Sequence, residues 1–189
     1  MSKENVSSLP DKKSEENYLN LLEELSEKLT SDSKLNIEII VRYTRKILGG
    51  VCSLYNKLDK RNQSLINWTT ENPPGDLKNI DDARGHICYE ATIKGRDKVI
   101  AIQDISKTAY QQTDSYVKKY QLKSYLGAPV KIHGHSLGSL CIVDAQRRKF
   151  TRKEKVVIRH LANVIRQQEE KIRIDTTQTV LHKITRSLV

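Results

Sequence analysis

The sequence predicts an α+β domain built on a central antiparallel sheet, and three observations carry that expectation. Apolar residues recur at helical spacing near the beginning of the chain and again after Thr151. Two pairs of strand-prone runs are each closed by a tight polar or glycine-containing turn. Between the pairs lie irregular segments with no sustained period.

The first residues, MSKENVSSLPDKKSEEN, are polar and read as a disordered tail, so residues 1–17 are set apart from a domain over 18–172. Leu19, Leu22, Leu25 and Leu29 fall three and four apart, on one stripe of a helix. Ser31, Asp32 and Ser33 are cap-forming residues. Behind them Leu35, Ile37, Ile40, Val41 and Ile47 predict a second helix, stopped at Gly49-Gly50.

Val51 to Leu58 and Ser64 to Thr69 suit strands, with Asp59-Lys60-Arg61-Asn62 as the turn between them. Asn72-Pro73-Pro74-Gly75-Asp76 breaks the chain into a loop. HICYEATIKG reads as a short helical segment ending at Gly95, Val99 to Ile102 as a strand, and YQQTDSYVKKYQL as one or two short helices. SYLGAPVKI and SLGSLCIVD are apolar strands joined by His133-Gly134-His135, where glycine supplies the positive backbone angle of a tight hairpin. Both look buried on two faces, so each face of the sheet needs a cover. Thr151 with Glu154 three positions on is a capping box opening a long helix that runs past Glu170. Val157, Leu161, Val164 and Ile165 make its inner stripe, and Ile172 continues it.

Composition bounds the function. At 189 residues the chain suits one domain with helical extensions. No apolar run approaches the roughly 20 residues that span a bilayer, and no leader is visible, which predicts a cytoplasmic protein with no membrane partner. Cys52, Cys88 and Cys141 share no CxxC spacing and sit in apolar stretches, so free thiols are expected. The net charge of +10 invites a nucleic-acid reading. The basic residues are scattered, however, and the densest cluster, Arg147, Arg148, Lys149, Arg152, Lys153 and Lys155, reads as a solvated or dimer-edge face, so nucleic acid is not the expected partner.

Gly134-His135-Ser136-Leu137-Gly138 matches G-x-S-x-G, the nucleophile elbow of serine hydrolases. An elbow needs a helix directly after the serine, whereas Leu140-Cys141-Ile142-Val143 is strand-like. The acid and histidine of a triad would also have to come from later strands, and the rest of the chain reads as one helix. Ser136 as a nucleophile is therefore the remote alternative, with Gly134 and Gly138 serving a turn and a close approach. His133 and His135 lack the four-ligand spacing of a zinc site and read as exposed turn residues.

The segment SYLGAPVKIHGHSLGSLCIVDAQRRKFTRKEKVVIRHLANVI resembles the C-terminal half of GAF domains. In that family an apolar strand with Gly-x-Pro, a glycine turn, a Gly-Ser-Leu strand ending in aspartate, an Arg-x-Phe-Thr turn and a helix with Leu-Ala follow one another. GHICYE is similar to the lead-in to the family's pocket helix, and DISKTAYQQTDSYVKKYQLKSYLG to the segment returning to the sheet. The resemblance covers about residues 34–171. It implies a PAS-like fold, with the first, second and last helices on one face of the sheet and short helices and loops over a ligand pocket on the other.

The implied function is small-molecule sensing and dimerisation in a signalling protein of bacterial type, such as a two-component system, without enzymatic activity. A ligand-free GAF scaffold for dimerisation or partner binding is the alternative. Trp68, His86, Cys88, Tyr89, Asp104, Tyr110, Tyr116 and Ser139 are the expected ligand-binding residues, for a small polar or aromatic molecule. No cofactor is assigned. Cys88 is followed by Tyr89 rather than the histidine of bilin sites, and the cyclic-nucleotide signature is absent, while haem stays open. Methionine-sulfoxide-reducing members of the family need a second thiol near the pocket. Val117 to Lys123 offers none, so no thiol is expected to resolve an oxidised Cys88. A homodimer through the N- and C-terminal helices is expected, with residues 173–189 as a helical extension or a linker to a downstream domain or protein.

Overall fold

The computed structural model describes residues 12–61, 63–95 and 97–187. Two helices open the chain, α1 (Lys12–Lys28) and α2 (Ser33–Leu48). The first begins at Lys12, inside the segment expected as a tail, and residues 1–11 lie outside the described residues. The cap expected at Ser31 to Ser33 is Asp32, whose carboxylate accepts from the Lys34 and Leu35 amides. Gly49 ends α2 with φ 72°, the positive angle that a glycine adopts without a Cβ clash.

Six strands follow: β1 (Cys52–Asp59), β2 (Ser64–Glu71), β3 (Ile80–Asp82), β4 (Ile100–Ile102), β5 (Ser124–Ile132) and β6 (His135–Asp144). They form one antiparallel sheet in the order β3-β2-β1-β6-β5-β4. The N-terminal hairpin thus pairs with the C-terminal one through β1 and β6, the longest-range pairing in the chain. Between β3 and β4 a π-helical turn covers Cys88–Ile93, and after β4 come a 3₁₀ turn at Ile105–Lys107 and two short helices, α3 (Tyr110–Thr113) and α4 (Ser115–Tyr120). The edge strand β3 and the 3₁₀ turn were not expected. Each has only three residues, too short for a period to show.

Strand alternation sends residues to two different cores. Tyr55, Leu126, Ala128, Val130, Leu140 and Ile142 face α2 and α5 (Arg152–Ser187), while Cys52, Tyr125, Cys141 and Val143 face the π-turn and α4. Helices α2 and α5 pack on each other and on the sheet, and α1 packs on α2. The capping box forms as expected: the Glu154 amide donates to Thr151 Oγ1 at 3.1 Å, and the Thr151 amide donates to Glu154 Oε2 at 2.7 Å. Helix α5 is then continuous to Ser187, through the polar run Asp175 to Thr179 inside the segment expected as a helical extension or linker. Residues 173–187 are exposed throughout.

Polar contacts fix α5 to the layers beneath it. Glu169, buried in α5, takes the Lys57 ammonium of β1 at 2.6 Å and the Tyr55 hydroxyl at 3.2 Å. Next to it the Asn36 side chain of α2 donates to Gln168 at 3.0 Å. A buried charge needs such partners, because burial alone strongly disfavours the ionised form. Among the described residues no helix is long and apolar enough to cross a membrane.

The G-x-S-x-G residues lie on the antiparallel hairpin, not on a strand-to-helix bend. His133 and Gly134 both have positive φ, 49° and 78°, the geometry of a two-residue hairpin turn. Ser136 belongs to β6 and donates to the carbonyl of Ile93 at 2.9 Å. Gly138 sits where a Cβ would lie 2.1 Å from the Asn56 carbonyl oxygen of β1, so the motif's last glycine is a close-approach glycine.

Candidate functional site

A cavity of about 380 Å³ lies on the face of the sheet opposite α2 and α5, in the size range of small-molecule sites. Its floor is the outward set of β1, β2 and β6: Cys52, Leu54 and Asn56, then Leu65 and Asn67, then Val143. One wall is the loop through Asn72, Pro73, Pro74 and Leu77, which reads in sequence only as a chain break. The roof is the start of the π-turn and α4, contributing Ile87, Cys88, Val117 and Tyr120.

Polar groups gather at one wall. His86 lies between two carboxylates, with Nδ1 3.4 Å from Asp114 Oδ1 and Nε2 3.8 Å from Asp81 Oδ2. Its ring is 5.6 Å from that of Tyr116, which stacks in turn on Tyr120 at 6.2 Å. Burial by itself would push the His86 pKa down. The hydrogen bond to Asp114, the charge of Asp114 and the weaker pull of Asp81 outweigh it, and the pKa is raised. The reverse holds for Asp114, where burial opposes ionisation but His86 and backbone amides hold the carboxyl below its ordinary value.

Asp114 organises this wall. It caps α4 by accepting from the Tyr116 and Val117 amides at 3.0 and 3.3 Å, and accepts the Ile87 amide of the π-turn at 3.0 Å. One buried carboxylate thereby holds two separate roof segments together. Two further polar atoms on cavity-lining residues, Asn67 Oδ1 and Tyr120 Oη, are buried with no hydrogen-bond partner among the described residues. Such atoms cost about 1–3 kcal/mol each when left unpaired.

Of the eight residues expected to bind a ligand, the structure brings His86, Cys88 and Tyr116 to the cavity. The other five do not line it. Trp68 alternates with Asn67 on β2 and so falls on the opposite face, with the Lys57 ammonium 3.5 Å from its ring centroid. Tyr89 turns to the edge of the sheet, its hydroxyl donating to Gln63 at 2.9 Å. Asp104 caps the 3₁₀ turn and pairs with Arg147 at 3.0 Å. Tyr110 packs behind the cavity's apolar lining, and Ser139 is fully buried in β6 beside Asn56.

Asn67, Asp81, Asp114 and Tyr120 were missed. Asp114 carries a legible signal, since Asp-Ser ahead of Tyr-Val-Lys-Lys-Tyr is a helix cap; the others depend on which side of the chain faces the sheet. Two residues of the basic cluster are held in ion pairs. Arg147 pairs with Asp104, and Arg148 with Asp144 and Glu154.

The expectation of no partner thiol for Cys88 is overturned. Cys141, fifty-three residues on, places its Sγ 3.4 Å from Cys88 Sγ, because β6 runs under the π-turn. A scan along the neighbouring segment missed a partner that the sheet supplies from below. Among the described residues no group of three or more His, Cys, Asp or Glu is placed to hold a metal ion.

The GAF domain model matches residues 36–168. Among solved structures, the GAF domain of an Acinetobacter phosphoenolpyruvate-protein phosphotransferase superposes with a TM-score of 0.67 at 12% identity, covering 87% of this chain and 97% of that one. The free methionine-R-sulfoxide reductase of Neisseria meningitidis, solved with its substrate, gives 0.67 at 16%, covering 89% and 96%. The blue-light absorbing PixJ GAF domain of Thermosynechococcus elongatus gives 0.61 at 21%, covering 80% and 94%. No protein of curated function matches the chain. The fold is thus shared with GAF domains of larger proteins and with a methionine sulfoxide reductase, and with the family model covering most of its length, this chain belongs to the GAF domain family.

Proposed function

We propose that the chain is a small-molecule-sensing and dimerisation module of a signalling protein. The observation that carries the reading is the cavity itself, a mainly apolar chamber whose lining residues include Asn67 and Tyr120, each with a buried polar atom that has no hydrogen-bond partner among the described residues. A GAF domain kept only as a scaffold has no use for a chamber of this size, and side chains that filled it would raise stability. The mainly apolar lining and the polar wall at His86, Asp81 and Asp114 suit a molecule with an apolar body and one polar head.

Signal transfer follows from strand alternation. On β1, Asn56 faces the cavity and its neighbour Lys57 faces α5, where it holds Glu169. A ligand that binds one setting of β1 more tightly than another shifts the setting of α5 by that difference in affinity. Beyond the domain, Ile174, Leu181 and Ile184 are exposed on α5 at spacings of seven and three. This is a coiled-coil seam without a mate in one chain, and a second copy in parallel covers it.

Native mass spectrometry of the freshly purified chain, followed by a thermal-shift screen with amines, amino acids, nucleotides and haem, tests the ligand. A true ligand at a hundred times its Kd adds about 2.7 kcal/mol, roughly 5–10 °C in Tm for a chain of this size. The gain disappears in Asn67→Trp, which fills the chamber. A bare polypeptide mass together with no stabilising compound overturns the sensing reading. Sedimentation showing a monomer at tens of micromolar overturns the dimer.

A further inference from the structure

We propose that Cys88, on the roof of the cavity, and Cys141, buried in β6 next to it, form a peroxide-responsive dithiol that closes to a reversible intramolecular disulfide. The proposal is independent of the ligand reading and uses a different part of the site. The two sulfurs are 3.4 Å apart, on the first residue of the π-turn and on β6. A disulfide needs about 2.05 Å between sulfurs, so closure takes little more than 1 Å of side-chain movement.

The two thiols are not equivalent. Cys88 lines the cavity and is half-buried, within reach of a small oxidant, whereas Cys141 is fully buried beneath it. Cys88 Sγ also accepts from Asn56 Nδ2 at 3.4 Å. The hydrogen bond with Cys141 lowers the Cys88 thiol and, by the same contact, raises Cys141, which favours thiolate on the accessible sulfur. Cys52 on β1 is the third thiol of the cluster. Burial pushes it up to about 12, and its thiol donates to the Ser53 carbonyl at 3.6 Å, whereas the sulfur contact of Cys88 is with Cys141, so Cys52 takes no part. Two core cysteines that merely packed together would need neither the amide donor nor a place in the lining of the cavity.

The chemistry balances with hydrogen peroxide as the named oxidant. The Cys88 thiolate attacks the distal oxygen, the O–O bond breaks, and Cys88 becomes a sulfenic acid as hydroxide leaves and takes up a proton to form water. Cys141 then gives up its proton and attacks the Cys88 sulfur, the S–O bond breaks, and the disulfide forms with release of a second water. A small dithiol reverses the change by exchange, oxidised in its turn. Closure draws the start of the π-turn down onto β6, so the cavity roof differs between the two redox states.

The test uses the full chain, reduced, then treated with hydrogen peroxide in modest excess and alkylated after denaturation. The expected product is about 2 Da lighter, with one alkylatable thiol where the reduced chain has three. Peptide mapping places the bond at Cys88–Cys141, and dithiothreitol restores all three thiols. Cys52→Ser gives the same product. Cys141→Ser, checked for folding by circular dichroism, loses it and stops at an adduct about 16 Da heavier on Cys88 that dimedone traps. Cys141→Ala provides the same test if the serine variant unfolds. A wild-type chain that keeps three thiols, goes directly to sulfinic acid at Cys88, forms a bond to Cys52, or links two chains overturns the proposal.

Discussion

Removing the Asp114 carboxylate isolates the interaction that holds the cavity roof. Asp114→Ala strips the cap from α4, at a cost of about 1 kcal/mol for a typical helix cap. It also leaves the Ile87 amide, on a residue only 2% exposed, without its acceptor. An orphaned buried donor costs about 1–3 kcal/mol. The sum is about 2–4 kcal/mol, and with a slope of about 2 kcal/mol per molar urea the midpoint falls by roughly 1–2 M at pH 7.

Asp114→Asn separates charge from shape, because the amide can still cap α4 but cannot pair with His86⁺. The His86 pKa is raised in the folded chain, so its contribution is complete below the ordinary value of 6.5 and is lost as pH rises through the folded value. The Asp114 pKa is lowered, so its contribution is present above the ordinary 3.8 and is lost as pH falls through the folded value. The stability gap between wild type and Asp114→Asn is therefore widest between about pH 4 and 6.5 and narrows above that. Urea melts at half-unit steps of pH measure it. A gap that stays flat from pH 5 to 9, or an alanine variant that loses less than about 1 kcal/mol, refutes the assignment of Asp114 as the paired tie between the roof segments.

Three further outcomes follow from particular contacts. Glu169→Ala leaves the Lys57 ammonium without its carboxylate and the buried Tyr55 hydroxyl without its acceptor, and costs about 3 kcal/mol in urea unfolding, whereas a surface pair would cost under about 1. Gly138→Ala forces a Cβ against the Asn56 carbonyl and lowers stability by about 1–3 kcal/mol; a neutral result would mean that β1 and β6 approach less closely than described. A fluorophosphonate probe leaves Ser136 unlabelled, since its hydroxyl donates to the Ile93 carbonyl and it lies within an antiparallel strand rather than at a strand-to-helix bend. Labelling that is lost in Ser136→Ala would restore the hydrolase reading.

Most of the fold can be read from the chain because its signals are local. Asp32 before a helical stripe, Thr151 with Glu154, the glycines at the end of α2, and His133-Gly134 between two apolar runs each act through neighbours a few residues away. The ordering of elements and the last fifty or so residues then suffice for the family. Even the false lead at G-x-S-x-G can be dismissed locally, from the strand-like residues after Ser136.

The cavity is different, because its composition depends on contacts that no stretch of sequence contains. Asn67 rather than Trp68 faces it because the sheet buries one side of β2 against β1's cavity set, and a shift of one residue would have exchanged them. Cys141 meets Cys88 because the last hairpin pairs with the first, placing β6 beneath a turn fifty-three residues earlier. Helix caps, turns and stripes are properties of a few successive residues and survive in any context. Which side chains share a chamber is set by register and strand order, and those exist only once distant segments have paired.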